Sequence, residues 1–535
     1  MITIGQQRRF PSPSSWLYLL LPSVLILAAL LAAGTKSDAL RLALLFLPGS
    51  YFAWRAAVTR RRAWRWLTHA WAFVFGADAT LRAASWITYR SDLDSAFILE
   101  ALANTTVAES GEFLLHYWHL LPVLVAGALS LNAWYLYCVP RLRSVAGDIT
   151  IPRALVLFVL AALTLLAYGL RPNRAQHPVI YWSGYAQQIQ TYRDNLANSA
   201  EIAHAWDRLV ADDSIVYEGP DRQTFVLVLA ESITRHNMQL CGYGRDTTPN
   251  LRKIRGELTV FCNAFSPAAS TLPALRMKLT DANTEQPYAE REGSLLARAR
   301  KAGFQLHWIS NQDDEYTAAL FGEYADHAVF TNRRSGRSSS SLDEALLAPF
   351  RAALADPHPR KLIVVHMIGA HPNYFLRYPP AFARFDARED DSIDKALLRD
   401  GRNLITRRQR DHYDNALVYH DHVVTQLVEA LRQATPDTQQ KTLLYASDHG
   451  NEVGHVGNHV GHSPRTEAGY AVPVMLWQAG RTRLQALEQR PILTDSLDDN
   501  ALRLMGVRWT GANRLDDWFA EDYAWAPPPD WPPWN

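Results

Sequence analysis

The chain has 535 residues, too many for one ordinary domain, and its 54 Lys and Arg against 53 Asp and Glu leave a net charge of +1. So even a balance gives no argument for nucleic acid as a partner. Residues 1–170 are rich in Leu, Ala, Trp and Val, whereas the remainder has the mixed polarity of a soluble globular protein.

Trp16–Ala33 is a run of 18 residues without a charge, close to the roughly 20 that a membrane-crossing helix needs. Further apolar segments follow it, which argues against a cleaved signal peptide. They are Leu42–Val58, Trp64–Ile87, Phe113–Val139 and Ala154–Leu170, so a five-helix transmembrane domain is expected over residues 1–170. Asp78 and Arg82 fall inside the third segment. An internal acid in a membrane helix faces a polar bundle interior; an interfacial or core helix is the other reading. Arginines mark Gln7-Arg8-Arg9, Thr59-Arg60-Arg61-Arg62 and the connection holding Arg141, Arg143 and Arg153, while Ser91–Glu112 carries Asp92, Asp94, Glu100, Glu109 and Glu112. Basic loops stay cytoplasmic. The pattern predicts a multi-pass membrane protein with everything after Leu170 outside the cytoplasm, which in a bacterium means an inner-membrane protein facing the periplasm. Of the three cysteines, Cys138 lies in a membrane segment, whereas Cys241 and Cys262 lie in the exported part. There they either pair or remain two small unpaired side chains.

Residues 171–212 read as interfacial linker helices, with Tyr181, Trp182, Tyr185 and Tyr192 suited to a headgroup layer. From Asp213 onward, strand-like runs at Phe225–Ala230, Gln305–Ile309, Lys361–Met367, Thr442–Ala446 and Val472–Trp477 alternate with helical patterns. This implies an α/β catalytic domain over 213–525 with a mostly parallel sheet covered on both faces. The charged stretch Asp386–Arg402 reads as a surface loop, and the Pro- and Trp-rich tail 526–535 as neither helix nor strand.

Two buried-looking strands stop at potential ligands: Phe225–Ala230 at Glu231-Ser232, and Thr442–Ala446 at Ser447-Asp448-His449-Gly450. Parallel strands deliver their functional groups to the C-terminal edge of a sheet, so the pair suggests one divalent-metal site; a helix cap is the plainer role for Glu231. The turn Ser266–Leu275 offers hydroxyls at Ser270 and Thr271 just before an apolar run. One of them is a nucleophile meeting a phosphate at a helix N-terminus, or both are simple caps. His371 lies beyond its strand and can reach a ligand, whereas His366 lies within it and reads as structural. His455, His459 and His462 alternate with Gly454, Gly457 and Gly461 in a loop suited to metal or phosphate. Together these residues form a zinc-like set that includes a hydroxyl.

Several further motifs accompany them. They are Gly242-Tyr243-Gly244-Arg245-Asp246-Thr247-Thr248-Pro249-Asn250-Leu251, Trp308-Ile309-Ser310-Asn311-Gln312, Arg377-Tyr378-Pro379, Tyr413-Asp414-Asn415-Ala416 and Val472-Pro473. In order and in membrane topology the chain resembles the bacterial phosphoethanolamine transferases, which join five membrane helices to a sulfatase/alkaline-phosphatase-like periplasmic domain. The resemblance implies one tight zinc, and room for a second, with Glu231, Thr271, Asp448 and His449 as ligands of the tight ion. It implies Thr271 as the nucleophile, and His371 with His462 or His459 on the phosphoryl group or the second zinc. It further implies phosphatidylethanolamine as donor, a lipopolysaccharide or periplasmic glycan as acceptor, contact with membrane lipid and a monomeric enzyme. Pro267-Ala268-Ala269 stands where many members carry a Thr-rich turn, and at most one periplasmic disulfide is available. Both features favour the branch that modifies core heptose or glucan. The rival readings are a phosphoglycerol transferase or a membrane-bound sulfatase or phosphodiesterase of the same fold. A Cys-type sulfatase is disfavoured because no Cys occupies Ser266–Thr271.

Overall fold

The computed structural model describes residues 14–34, 36–59, 61–89, 92–93, 95, 98–99, 102, 121–142, 162–165, 167–170, 174–197, 199–286, 293–312, 317–332, 340–386, 391–435, 440–512, 516–523, 525 and 527. The chain divides into two compact units between Tyr192 and Arg193.

The first unit is helical: α1 (Ser14–Ala33), α2 (Lys36–Leu45), α3 (Leu47–Thr59), α4 (Arg62–Tyr89), α5 (Leu121–Leu142) and α6 (Pro178–Ala197), the last running across the division. Leu30, Leu42, Phe46, Ala53, Ala56, Phe75 and Tyr135 are buried between these helices. Trp66, Val123 and Leu136 point outward and are largely exposed, as side chains meant for lipid would be. Asp78 and Arg82 are buried: Arg82 Nε donates to Asp78 Oδ2 (3.0 Å) and its Nη1 to Asp38 Oδ2 (2.9 Å), and Trp182 Nε1 donates to Asp78 Oδ1 (3.0 Å). The charges inside α4 thus satisfy one another in the bundle interior. Among the described residues, Asp38–Thr59 and Leu121–Pro140 are long and apolar enough to cross a membrane, and Leu19–Ala33 is a shorter apolar helix. Residues 113–120 and 154–161, parts of two expected segments, lie outside the described residues, as do the basic Gln7-Arg8-Arg9, Arg143 and Arg153.

The second unit is built on an eight-stranded sheet in the order β11-β3-β10-β7-β2-β6-β4-β5. Its strands are β2 (Gln223–Ala230), β3 (Leu258–Phe265), β4 (Gln305–Ser310), β5 (His327–Phe330), β6 (Arg360–His366), β7 (Gln440–Ser447), β10 (Ala471–Gln478) and β11 (Ile492–Leu493). Two small pairs, β1 (Val216–Tyr217) with β12 (Val507–Arg508) and β8 (Glu452–Val453) with β9 (Val460–Gly461), stand apart from it. Within the eight-stranded sheet β10 runs antiparallel to both neighbours and every other pairing is parallel. The register of β10 against β3 shifts at Pro473, which has no N–H to donate to the ladder.

The helices of this unit are α7 (Ser199–Leu209), α8 (Pro249–Lys253), α9 (Thr271–Leu279), α10 (Leu295–Lys301), α11 (Leu347–Ala355), α12 (Ser392–Arg399), α13 (Leu404–Gln433), α14 (Glu467–Tyr470) and α15 (Leu497–Leu504). Every residue of β2 is buried, with Phe225, Leu227 and Leu229 in one core and Val226, Val228 and Ala230 in the other. A strand buried on both faces must be apolar throughout, which is why this run reads so plainly in the sequence. The first core also takes in Trp206 of α7.

One expectation needs correction. The charged stretch Asp386–Arg402 contains α12, where Asp391 caps the helix by accepting from Asp394 N, and where Asp394 and Leu397 are buried. Alternating charges hid an amphipathic turn whose buried Asp394 pairs with Arg407 of α13 at 2.7 Å. Of the tail, Pro527 alone is described, so the reading of 526–535 lies otherwise outside the described residues.

Candidate active site

The parallel ladder between β2 and β7 ends on the pair Ala230↔Ser447, so the next residues, Glu231 and Asp448, leave the sheet side by side. Both are buried, as is His449. β3 leads through Ser266 to α9, whose first residue is Thr271. Thr271 Oγ1 lies 3.0 Å from Glu231 Oε2 and 3.4 Å from His449 Nε2. His449 Nε2 is 3.4 Å from both Glu231 Oε1 and Asp448 Oδ2. His449 Nδ1 lies 2.8 Å from the Gly450 carbonyl. A proton on Nδ1 turns Nε2 toward the carboxylates, where a cation would replace the proton that they now favour on it, the orientation usual for a metal-ligating histidine.

The surrounding backbone is shaped to hold this pair of acids. Ser232 is buried at φ +63°, a left-handed conformation rare outside glycine. The conformation lets its N–H donate to Asp448 Oδ1 (2.9 Å) while its Oγ donates to Glu231 Oε1 (2.6 Å). Tyr413 holds the turn by accepting from Thr234 N (2.8 Å) and donating to Ser232 O (2.7 Å). Gly369, at φ +50°, packs against Glu231, and a Cβ there would fall 2.4 Å from the Glu231 carbonyl oxygen.

Electrostatically the site is short of positive charge. Burial and the neighbouring Glu231 push the Asp448 carboxyl well up. Glu231 is buried too, but its hydrogen bond to His449 and that imidazole's charge hold it well below the usual range. Burial opposes protonation of His449, yet Asp448 and Glu231 outweigh it and raise the imidazole. Asp448 Oδ2 is buried with no hydrogen-bond partner. Glu231, His449 and His462 each offer a ligand atom within 4.8 Å of the others. Two carboxylates, one with an oxygen lacking a hydrogen-bond partner, and two imidazoles fit a divalent cation of the zinc class.

The three loop histidines part company. His462 stands over the site, its ring centroid 4.5 Å from that of His449 and 6.3 Å from that of His371. His459 Nε2 lies 2.9 Å from the carbonyl of His462, so it braces the loop. His455 Nε2 lies 2.8 Å from Asn237 Oδ1 in a separate polar cluster. His366 stays in the sheet interior, where burial pushes its imidazole down to about 4.

Three residues not named as site candidates from the sequence also border the site. Gln312, just past β4, reaches Glu231 Oε2 (3.4 Å) and the Met367 carbonyl (2.9 Å). Asp343 accepts from Ile368 N and Gly369 N, each at 2.9 Å, and so shapes the turn before His371. Lys278 is fully buried behind the site, donating to Ser266 Oγ at 3.2 Å and to Thr494 Oγ1, while Ser266 Oγ donates to the Asp448 carbonyl. Burial pushes its amine down to about 7 against the pull of Asp448 and Asp495. Gln312 stood within a visible motif; a lysine on an ordinary helix gives no such signal.

A carboxylate-rich cluster that fits a divalent cation, beside a hydroxyl at a helix N-terminus on the C-terminal edge of a mostly parallel sheet, has the make-up of enzymes that act on tetrahedral oxyanion esters. The sulfatase family model matches residues 223–507. Phosphoethanolamine transferase EptC of Escherichia coli (strain K12) is 30% identical over 417 residues, covering 71% of this chain and 68% of that one. Phosphoethanolamine transferase CptA of Salmonella typhimurium is 31% identical over 432 residues, covering 75% and 72%. Among solved structures, the C-terminal periplasmic domain of the E. coli EptC in complex with Zn superposes with a TM-score of 0.54 at 30% identity, covering 58% of this chain and 90% of that one. The integral membrane lipooligosaccharide phosphoethanolamine transferase A of Neisseria meningitidis shares the fold over 94% of this chain and 96% of that one, with a TM-score of 0.59 at 19% identity. The chain belongs to the sulfatase family and, within it, to the phosphoethanolamine transferases.

Proposed function

We propose that the enzyme moves phosphoethanolamine from phosphatidylethanolamine to a hydroxyl or phosphate of a cell-envelope glycan or lipopolysaccharide, in two steps through Thr271. The observation that carries this reading is the position of Thr271 Oγ1, 3.0 Å from Glu231 Oε2, at the first residue of α9. Ser270 holds the N-cap position in an extended conformation and makes no capping bond from its side chain. The first amides of α9 therefore remain for the phosphoryl oxygens.

The orphaned Asp448 Oδ2 and the Glu231, His449 and His462 cluster support zinc as the cofactor, and the E. coli relative's domain was solved with Zn. Glu231, Thr271, Asp448 and His449 would hold one tight ion, and His371 with His462 would contact the phosphoryl group or a second. When bound, zinc supplies positive charge that lowers the pKa of the Thr271 hydroxyl and stabilises charge on the phosphoryl oxygens. Glu231 Oε2 is the nearest acceptor for the hydroxyl proton. Thr271 Oγ1 forms the new P–O bond as the P–O bond to diacylglycerol breaks, and the diacylglycerol oxygen takes a proton. In the second step an acceptor oxygen attacks the same phosphorus and Thr271 recovers its hydroxyl. His371 and His462 would donate to the phosphoryl oxygens in both steps.

We place the chain in the bacterial inner membrane as a monomer, on the family resemblance, with five crossings from its apolar segments and residues 171–535 in the periplasm from the arginine bias of alternate loops. A reporter fused after Asn535 should be active only outside the cytoplasm. Catalysis is tested with the purified full chain and vesicles of phosphatidylethanolamine labelled in its acyl chains. Diacylglycerol should be released by the intact enzyme and not by Thr271→Ala. Release from phosphatidylglycerol alone would instead identify a phosphoglycerol transferase.

A further inference from the structure

Toward the N-terminal ends of β4, β5 and β6, on the sheet edge away from Thr271, three side chains from three elements converge. His307 lies on β4, His327 opens β5, and Asp356 lies in the turn between α11 and β6. The ladder pairs His307 with His327, and their rings stack with centroids 4.9 Å apart and planes 29° apart. Both Nε2 atoms face Asp356 Oδ2, at 3.6 Å from His307 and 3.9 Å from His327. One atom from each of the three lies within 4.8 Å of the others. His307 Nε2 is buried without a hydrogen-bond partner. The acid is held in place: Asp356 Oδ1 accepts from His358 N (2.8 Å), and Lys361 Nζ ties down the Leu354 and Asp356 carbonyls at 2.6 and 2.7 Å.

The plainer account is an imidazolium–carboxylate pair. It fits poorly, because neither Nε2 lies within hydrogen-bond distance of Asp356 Oδ2 and a pair leaves the second stacked ring unaccounted for. Two imidazole nitrogens and a carboxylate oxygen are the donor set of borderline transition ions, not of calcium or magnesium. A tetrahedral ion with bonds of about 2.0–2.1 Å sets its donors roughly 3.3 Å apart, so the two separations from Asp356 need to close by about half an ångström and the histidine–histidine separation, within 4.8 Å, by at most about 1.5 Å. His327 supplies that freedom, its side chain being 52% exposed. Gln305 Nε2 now lies 3.0 Å from His327 Nε2, and a bound ion would displace this exposed contact.

We propose that His307, His327 and Asp356 form a second, non-catalytic site for a zinc-class divalent ion, with water as the remaining ligand. The ion would tie the edge strand β5 to β4 and to the turn that opens β6.

The test uses the full chain in detergent, stripped of metal by a chelator and titrated with Co2+ and then Zn2+, with bound metal counted after desalting. His327→Gln and the near-isosteric Asp356→Asn should each bind one equivalent fewer than the parent, or bind it at least about 100-fold more weakly, a larger loss than an outer-shell change brings. Transferase activity of His327→Gln should be unchanged. Glu231→Gln should keep the equivalent that His327→Gln loses, which separates this site from the catalytic one. Full stoichiometry and affinity in either His327→Gln or Asp356→Asn would overturn the proposal.

Discussion

Thr271 Oγ1 sits 3.0 Å from Glu231 Oε2 across forty residues of sequence, while the neighbouring Ser270 caps α9 without a side-chain bond. The two hydroxyls adjoin in sequence, but only one has a carboxylate partner. Thr271→Ala should therefore lower transfer by at least about 1,000-fold, the scale on which loss of a nucleophile registers. Ser270→Ala should cost less than about tenfold. Peptide mapping by mass spectrometry after quenching with labelled donor checks both, and a phosphoethanolamine adduct on Ser270 would reverse the assignment.

Asp448 Oδ2 is buried and unpartnered. Asp448→Asn keeps the shape and removes the charge, so zinc retained through purification should fall well below one equivalent, and activity with it. Prolonged chelation of the parent should abolish transfer, and added zinc should restore it. Elemental analysis alongside the activity assay reads both.

Cys241 and Cys262 form a disulfide across 21 residues, with Cα atoms 5.5 Å apart. Closing a loop of that size stabilises by about 3 kcal/mol in the chain-entropy account. Cys241→Ser should lower the denaturation midpoint by a corresponding amount, and reductant should do the same to the parent but not to the variant.

His420 is fully buried on α13, with Nε2 2.8 Å from the Tyr445 hydroxyl, and burial pushes its imidazole down to about 3. An unfolded histidine titrates near 6.5. As pH falls from 6.5 towards 3 the unfolded chain takes up a proton that the folded one refuses, so stability is lost with acid. The slope for this group approaches about 1.4 kcal/mol per pH unit. His420→Gln keeps a hydrogen-bonding side chain without titrating. Tryptophan-monitored denaturation at pH 7, 6 and 5 should show a flatter acid limb for the variant, and parallel limbs would exclude the effect.

Five strands of the sheet, β2, β4, β6, β7 and β10, are legible along the chain, whereas β3, β5 and β11 are not. β2 and β7 read as strands because both of their faces are buried, which demands unbroken apolar runs, and the ligands that end them are visible for the same reason. A charged amphipathic helix such as α12 was not visible, because its burial is confined to one side of two turns. The tertiary structure decided what lies next to what. The β2–β7 register brings Glu231 beside Asp448. The fold of the glycine loop turns His462 toward His449 and leaves His459 on a carbonyl and His455 on Asn237. Burial of Lys278 behind Ser266, pairing of the two cysteines and the meeting of His307, His327 and Asp356 follow the same rule. Periodicity and turn chemistry are local and are written along the chain. Register, loop closure and the desolvation that shifts a pKa arise from contacts between distant residues, and these exist only once the sheet has assembled.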